Sequence, residues 1–184
     1  MSKIVELLLT KKPKDSQANT KGIDKTPIGV EFPFQNSKDL IKTDLSKPVV
    51  ENYTFTHNNA IEVIGDKMYF SPVFFLAETK NIFTQEKREY PVDFIFPNQD
   101  KYNISFTIPE GYAIETIPQS KSVAMIDGIC NFTYLVSNTE NKFQIVYTLD
   151  INEAIISPEY YDVLKNFFKE IVDKHSEKIV LKKI

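Results

Sequence analysis

The chain is poor in the residues that most often carry chemistry. Of its 184 residues one is cysteine and two are histidine, tryptophan is absent, and glycine occurs five times. The single thiol, Cys130, excludes an internal disulfide and any cluster of several cysteines around a metal. With only His57 and His175 as imidazoles, a zinc site would need acids gathered by the fold, and no ligand-like spacing is present. The few glycines form no phosphate-cradling loop, dinucleotide fingerprint or Gly-x-Ser-x-Gly elbow, so nothing calls for a cofactor. Long apolar runs are missing too. The start, MSKIVELLLTKKPKD, holds a stretch far too short to span a membrane, broken by Glu6 and followed by no small-residue cleavage site, so no secretion signal is expected in this chain.

Charge narrows the classes further. The net formal charge of -3 conceals an asymmetry, because residues 1–50 hold nine lysines and six acids and residues 51–184 hold 13 lysines or arginines and 19 acids. An acidic body repels phosphate backbones, which argues against nucleic acid as a partner. With 42% hydrophobic and 26% charged residues, the composition is that of a globular protein large enough to bury a real core.

The N-terminal quarter differs in kind from the rest. From Thr10 to Lys47 the chain is rich in Lys, Asp, Ser, Asn, Gln, Thr and Pro, with Ile28, Val30, Phe32 and Phe34 scattered among them. Little core can form from that. Residues 1–43 are therefore expected to be a linker or the remnant of a preceding domain, with Ile4 to Leu9 a short helix or strand docked on the body. The five lysines from Lys11 to Lys25 could form a patch for an anionic surface, but Asp15 and Asp24 interrupt them, as a solvated linker would.

Past Glu51 the hydrophobic period becomes two, the mark of strands with one face in a core and one in water. NYTFTH sets Tyr53 and Phe55 against Thr54 and Thr56. YNISFTI does the same with Tyr102, Ile104, Phe106 and Ile108. CNFTYLV and FQIVYTL carry the rows Cys130, Phe132, Tyr134 and Phe143, Ile145, Tyr147, Leu149, and the polar SNTENK between them predicts a hairpin. In EKREYPVDFIFPNQDKY, residues Tyr90, Val92, Phe94 and Phe96 fall on one face of a further expected strand, with Pro91 favouring an edge or a strand start. Asp93 there is read as outward-facing or paired with Lys87 or Arg88, because a catalytic carboxylate needs a convergent partner that this stretch does not supply. Gly65, Gly111 and Gly128 each sit between apolar runs, as turn residues do.

One helix closes the pattern. SPEYYDVLKNFFKEIVDKHSEK offers Ser157 as N-cap and Pro158 as the first helical residue, and Tyr160, Leu164, Phe167, Phe168, Ile171, Val172 and His175 form its apolar stripe. Such a stripe packs on a sheet, or on a membrane or partner; acids among the lysines of the polar face favour the sheet. KIVLKKI can return as a terminal strand. The expected fold is mainly β (α+β), an antiparallel β-sandwich of immunoglobulin-like general architecture over residues 44–184, with a C-terminal amphipathic helix at 157–176.

The ordered series DLSKPVVENYTF, GDKMYFSPVFFLAE, EKREYPVDFIFP, YNISFTIPEGYAIETIP and AIISPEYYDVLKNFFKEIVDKHSEKIVLKKI resembles the C-terminal domain of unknown function of large transglutaminase-like proteins of the Bacteroidetes, over Asp44 to Ile184. The resemblance implies a β domain and a papain-fold catalytic core ahead of this segment, in proteins exported to the periplasm or envelope. That core uses Cys, His and Asp in that order, the cysteine at a helix start. Here Cys130 lies in a strand-like run and no Asp follows His175, so no catalytic residue carries over. The reading is a non-catalytic accessory domain that stabilises or positions a transglutaminase-like partner domain. Its alternative is a binding module for envelope glycan or peptide. A cysteine hydrolase would require Cys130 within reach of a histidine, whereas a thiol in a row with Phe132 and Tyr134 behaves as a small hydrophobe.

Overall fold

A computed structural model of the chain describes residues 60–139 and 141–184, together with the backbone of residues 5–13. The strand expected at NYTFTH, His57, and the apolar residues Ile28 to Phe34 lie outside the described residues. Eleven strands and one α-helix follow in order: β1 Val5–Pro13, β2 Glu62–Ile64, β3 Lys67–Phe70, β4 Val92–Asp93, β5 Asn98–Thr107, β6 Tyr112–Thr116, β7 Lys121–Ala124, β8 Cys130–Asn138, β9 Lys142–Ile151, β10 Ile155–Ile156, α1 Tyr161–Ser176 and β11 Ile179–Lys183. The result is a mainly β, antiparallel sandwich with one C-terminal helix. Among the described residues no helix is long and apolar enough to cross a membrane.

The larger sheet has the order β1-β5-β9-β8-β7 and every pair in it is antiparallel. Its centre is the hairpin β8–β9, in register from Cys130↔Ile151 to Asn138↔Phe143. That register aligns the apolar rows. Tyr134 faces Tyr147, which faces Tyr102, and Phe143 faces Phe106, so the inward side chains of three strands make one continuous surface. The alternation expected for these strands appears directly as burial: Phe143, Ile145, Tyr147, Leu149 and Ile151 are buried and the residues between them are only partly so. On the wetter face Gln99 donates to Asp150 and Gln144 to Asn103, pairs suited to a half-solvated surface. β1 lengthens the sheet by pairing with β5 from Val5↔Phe106 to Pro13↔Asn98. The strand thus runs four residues past Leu9, so part of the 1–43 segment belongs to this sheet.

The covering layer is shared by α1 and a four-stranded sheet of order β2-β3-β11-β6. The sheets meet through phenylalanines: Phe70 of β3 lies 5.4 Å from Phe106 and 6.2 Å from Phe143, ring centre to ring centre. The terminal strand expected at KIVLKKI is β11, and it sits between β3 and β6 rather than at an edge. The hairpin β2–β3 turns through Gly65 and Asp66, with Gly65 at φ 61°, a backbone state that costs an L side chain energy and glycine little.

The helix packs inward on Tyr161, Leu164, Phe167, Phe168, Ile171, Lys174 and His175. The steps between Tyr161, Leu164, Phe168, Ile171 and His175 follow one helical face. Two details differ from expectation. Ser157 precedes a 3-10 turn over Pro158–Tyr160 and makes no side-chain cap bond, so the α-helix proper starts at Tyr161; Tyr161 replaces Tyr160 on the buried face as a result. The strand expected from Tyr90 to Phe96 shortens to Val92–Asp93, paired with Ile155–Ile156 of β10. The chain leaves the strand because Asp93 Oδ1 accepts the Ile95 N–H at 2.7 Å and the Phe96 N–H turns back to the Phe94 carbonyl at 2.8 Å, forcing Ile95 to φ 72°. Val92 and Phe94 still face the core, while Tyr90 and Ile95 are left in solvent.

Candidate functional site

Three places combine unusual chemistry or geometry: a polar cluster under the end of α1, the thiol of Cys130, and a groove at the corner between the two sheets.

The polar cluster forms because α1 delivers Lys174 and His175 onto the sheet one after the other. His175 is 2% exposed and packs edge-on against Tyr147 and Phe132, at 5.1 and 6.0 Å between ring centres. Its Nδ1 accepts the backbone N–H of Glu78 at 3.0 Å. That bond fixes the neutral tautomer with the proton on Nε2, and among the described residues Nε2 meets no hydrogen-bond partner. Burial pushes the imidazole down to about 4, so it stays uncharged through the neutral range. Lys174 is 3% exposed. Its ammonium reaches the Glu177 carboxylate at 2.8 Å and lies over the Tyr134 ring, 5.3 Å from its centre. The Tyr134 hydroxyl is buried without a hydrogen-bond partner among the described residues, and burial raises it above the ordinary phenol range, as it does Tyr147.

Cys130 begins β8 in the row with Phe132 and Tyr134 and is fully buried. Burial pushes its thiol up to about 12, the reverse of what a cysteine nucleophile requires. His175 offers it no base, since Nδ1 is occupied by Glu78 and Nε2 has no partner, a thiol included. Asp93 faces solvent and is used by its own turn; Arg88 donates to the Tyr90 carbonyl at 3.1 Å and takes no part in an ion pair with Asp93. Among the described residues no three of His, Cys, Asp or Glu gather in a way that could hold a metal ion.

The groove opens where the chain passes from β5 to β6. It has a volume of about 770 Å³ and is bounded by the 107–114 stretch, by Asn138, Thr139 and Asn141 of the β8–β9 turn, and by Ile184. The Ile108 N–H donates to the Asn141 carbonyl at 2.9 Å, tying the turn to the corner, and the Ile184 N–H donates to the Gly111 carbonyl at 2.9 Å, tying the end of β11 to it. Its described lining combines the Glu110 carboxylate, the amides of Asn138 and Asn141 and the Thr139 hydroxyl with the apolar Ile108, Pro109, Ile114 and Ile184 and with Tyr112. Such a surface can hydrogen-bond a ligand, and among the described residues it sets no histidine, lysine or second carboxylate beside Glu110.

The sequence places His175 on the helical stripe and Cys130 in a strand row, and the structure leaves them so. It gives no sign of Lys174 as a buried residue from residue type, although the positions of Phe167, Ile171 and Lys174 share a face. The groove depends on how two sheets meet, which no local pattern encodes.

This is a β domain whose ionisable interior belongs to its core. The chain belongs to the family described as a domain of unknown function with solved structure (DUF3858), whose model matches residues 66–181. Its fold is similar to part of a crystal structure of a candidate protease from Parabacteroides distasonis ATCC 8503, with 15% identity, a TM-score of 0.46, and coverage of 53% of this chain and 19% of that one. The chain thus spans about a fifth of the length of that protein. Comparison with curated proteins found no match.

Proposed function

We propose that this chain is a non-catalytic accessory domain that stabilises or positions a separate transglutaminase-like catalytic domain. The observation that carries the reading is the state of Cys130. A cysteine nucleophile of that class needs a thiolate, an adjacent imidazole and access for substrate. Cys130 has a thiol raised to about 12, sits at 0% exposure, and has no hydrogen bond from His175. The ordered resemblance over Asp44 to Ile184 supplies the identity of the partner. A glycan-binding module is less well supported, because the exposed rings of Phe75, Tyr90 and Phe96 do not line the groove.

Two assays test this. The purified chain is expected to show no hydrolysis or amine exchange on glutamine-containing peptides, and turnover abolished by Cys130→Ala would overturn the reading. Joined to a transglutaminase-like catalytic domain encoded with it, the chain is expected to raise that domain's thermal midpoint. A catalytic domain equally stable and active with and without the chain would refute the accessory role.

A further inference from the structure

The chain contains a single arginine, Arg88, and the fold sets it in an exposed arch. The arch runs from Thr84 to Pro91, and every residue in it is exposed. Both of its feet are buried. Phe83 meets Phe168 at 4.9 Å and Phe94 at 6.4 Å between ring centres, and Val92 enters β4 opposite Ile156. Phe83 before the arch and Phe94 just past it are thus neighbours, and the chain between them loops outward. Among the described residues, the backbone from Glu78 to Pro91 makes no backbone–backbone hydrogen bond. Two exposed side-chain bonds reach the arch, from Lys165 to the Gln85 carbonyl at 2.8 Å and from Arg88 Nε to the Tyr90 carbonyl at 3.1 Å. Beside it lies an open space of about 440 Å³ whose described lining, Gln85, Lys87, Arg88, Glu89 and Tyr90, comes from the arch alone. No described residue of the body closes against that side.

A protease holds its substrate extended in a cleft, with several residues on each side of the bond it cuts. A native chain is therefore cut where an exposed segment is free of strand and helix pairing. Thr84 to Arg88 and Glu89 to Pro91 supply those residues without opening a strand or the helix. We propose that the Arg88–Glu89 peptide bond is a processing site for an arginine-specific endoprotease, and that the cut leaves a folded domain of two chains. Such an enzyme reads arginine because the planar guanidinium makes paired hydrogen bonds to a carboxylate in its pocket. The Arg88 bond to the Tyr90 carbonyl is a single exposed contact that yields to that pocket. Glu89 follows directly, so the enzyme is one that accepts an acid after the arginine. In the reaction water adds across the bond. The Arg88 carbonyl carbon takes the hydroxyl and becomes a carboxylate, and the Glu89 nitrogen takes the proton and leaves as an amine.

The core keeps the two pieces together. Residues 1–88 carry β1, paired with β5 from Val5 to Pro13, and β3, which pairs with β11 and sends Phe70 against Phe106 and Phe143. Phe83 is held by Phe168 and Tyr161. None of these contacts uses a residue of the arch. What changes is the covalent link. Refolding then requires two chains to meet, so stability comes to depend on protein concentration. The cut turns a chain that refolds alone into a domain that stays folded but comes apart when unfolded. The proposal goes beyond the accessory role and does not depend on the partner domain.

The test uses the full chain and an arginine-specific endoprotease such as clostripain. The native chain is expected to be cut once, within about tenfold of the rate for a free peptide of residues 84–91, since no unfolding has to precede the cut. Fragments 1–88 and 89–184 should elute together in gel filtration. The cut domain should keep one thermal transition, with a midpoint that rises with protein concentration as that of the uncut chain does not. Chain recovered from the cells that make it should include a fragment beginning at Glu89, and this fragment should be lost in both Arg88→Gln and Arg88→Lys. Cutting of the native chain only at its rate of unfolding, fragments that separate or lose the transition, or recovered chain that is intact would each overturn the proposal. So would a Glu89 terminus that persists in Arg88→Lys, which would assign the cut to a protease of broader basic specificity.

Discussion

Acidification should unfold this domain through His175. In the folded chain the imidazole titrates at about 4, against 6.5 as its ordinary value. Between those values the unfolded chain binds a proton that the folded chain does not, so the contribution is fully present above pH 6.5 and is lost as pH falls toward 4. The difference, 6.5 minus about 4, is 2.5 units, and at about 1.36 kcal/mol per unit the loss is roughly 3 kcal/mol, a large share of a typical total of about 5 to 15. The structure gives the cost two sources. A charge would enter an apolar site against Phe132 and Tyr147, and a proton on Nδ1 would break the bond from the Glu78 N–H. Urea unfolding followed by circular dichroism at steps from pH 7 to 4.5 measures the slope. His175→Phe keeps an aromatic ring in place but leaves the Glu78 N–H without its acceptor, so the variant should be less stable at pH 7 by about 1 to 3 kcal/mol and lose most of its pH dependence below 6.5. A wild type with flat stability across this range, or a variant with the same slope, would refute the reasoning.

Phe167→Ala should cost about 3 to 5 kcal/mol in the same unfolding assay, since the ring is 3% exposed between helix and sheet; a cost near 0.5 kcal/mol would mean that the helix is not packed as described. Cys130 should react with a thiol reagent such as DTNB only at the rate of unfolding, and Cys130→Ser should cost about 1 to 3 kcal/mol through a buried hydroxyl; fast labelling of the native chain would contradict its burial. Deleting residues 1–43 should preserve a cooperative thermal transition, because the buried residues between Met68 and Leu181 already form one apolar cluster, while freeing the β5 edge for self-association; a chain without a cooperative transition would contradict this.

Where one face of an element is wet and the other dry, the fold can be read from the amino acids alone. β5, β8, β9 and α1 are of this kind, because solvent forces every second or every third to fourth residue to be polar. The pattern fails from Tyr90 to Phe96, and the failure has a cause. Apolar alternation there is as regular as in β9, but it records only side-chain polarity. It is blind to a backbone that Asp93 pulls into a turn and that places Ile95 at φ 72°. An Asp two residues ahead of the break is the available signal, and it is a weak one. Lys174 fails for the opposite reason: its position is that of a core residue and its type is not. The helix can bury it only because Glu177, one turn later, returns to the ammonium and Tyr134 lies beneath it.

The same physics explains why the candidate sites divide as they do. His175, Lys174, Tyr134 and Cys130 have strongly altered surroundings, which in many proteins marks an active centre. Here each is enclosed by the core formed where α1 meets β8 and β9, and among the described residues His175 Nε2 has no hydrogen-bond partner to which it could pass a proton. The groove beside β6 is the reverse case, open to solvent and lined by Glu110, amides, hydroxyls and backbone rather than by a buried cluster. The buried cluster ties the last turn of α1 to the sheet and to the Glu78 backbone, and its role is that of a rigid interior.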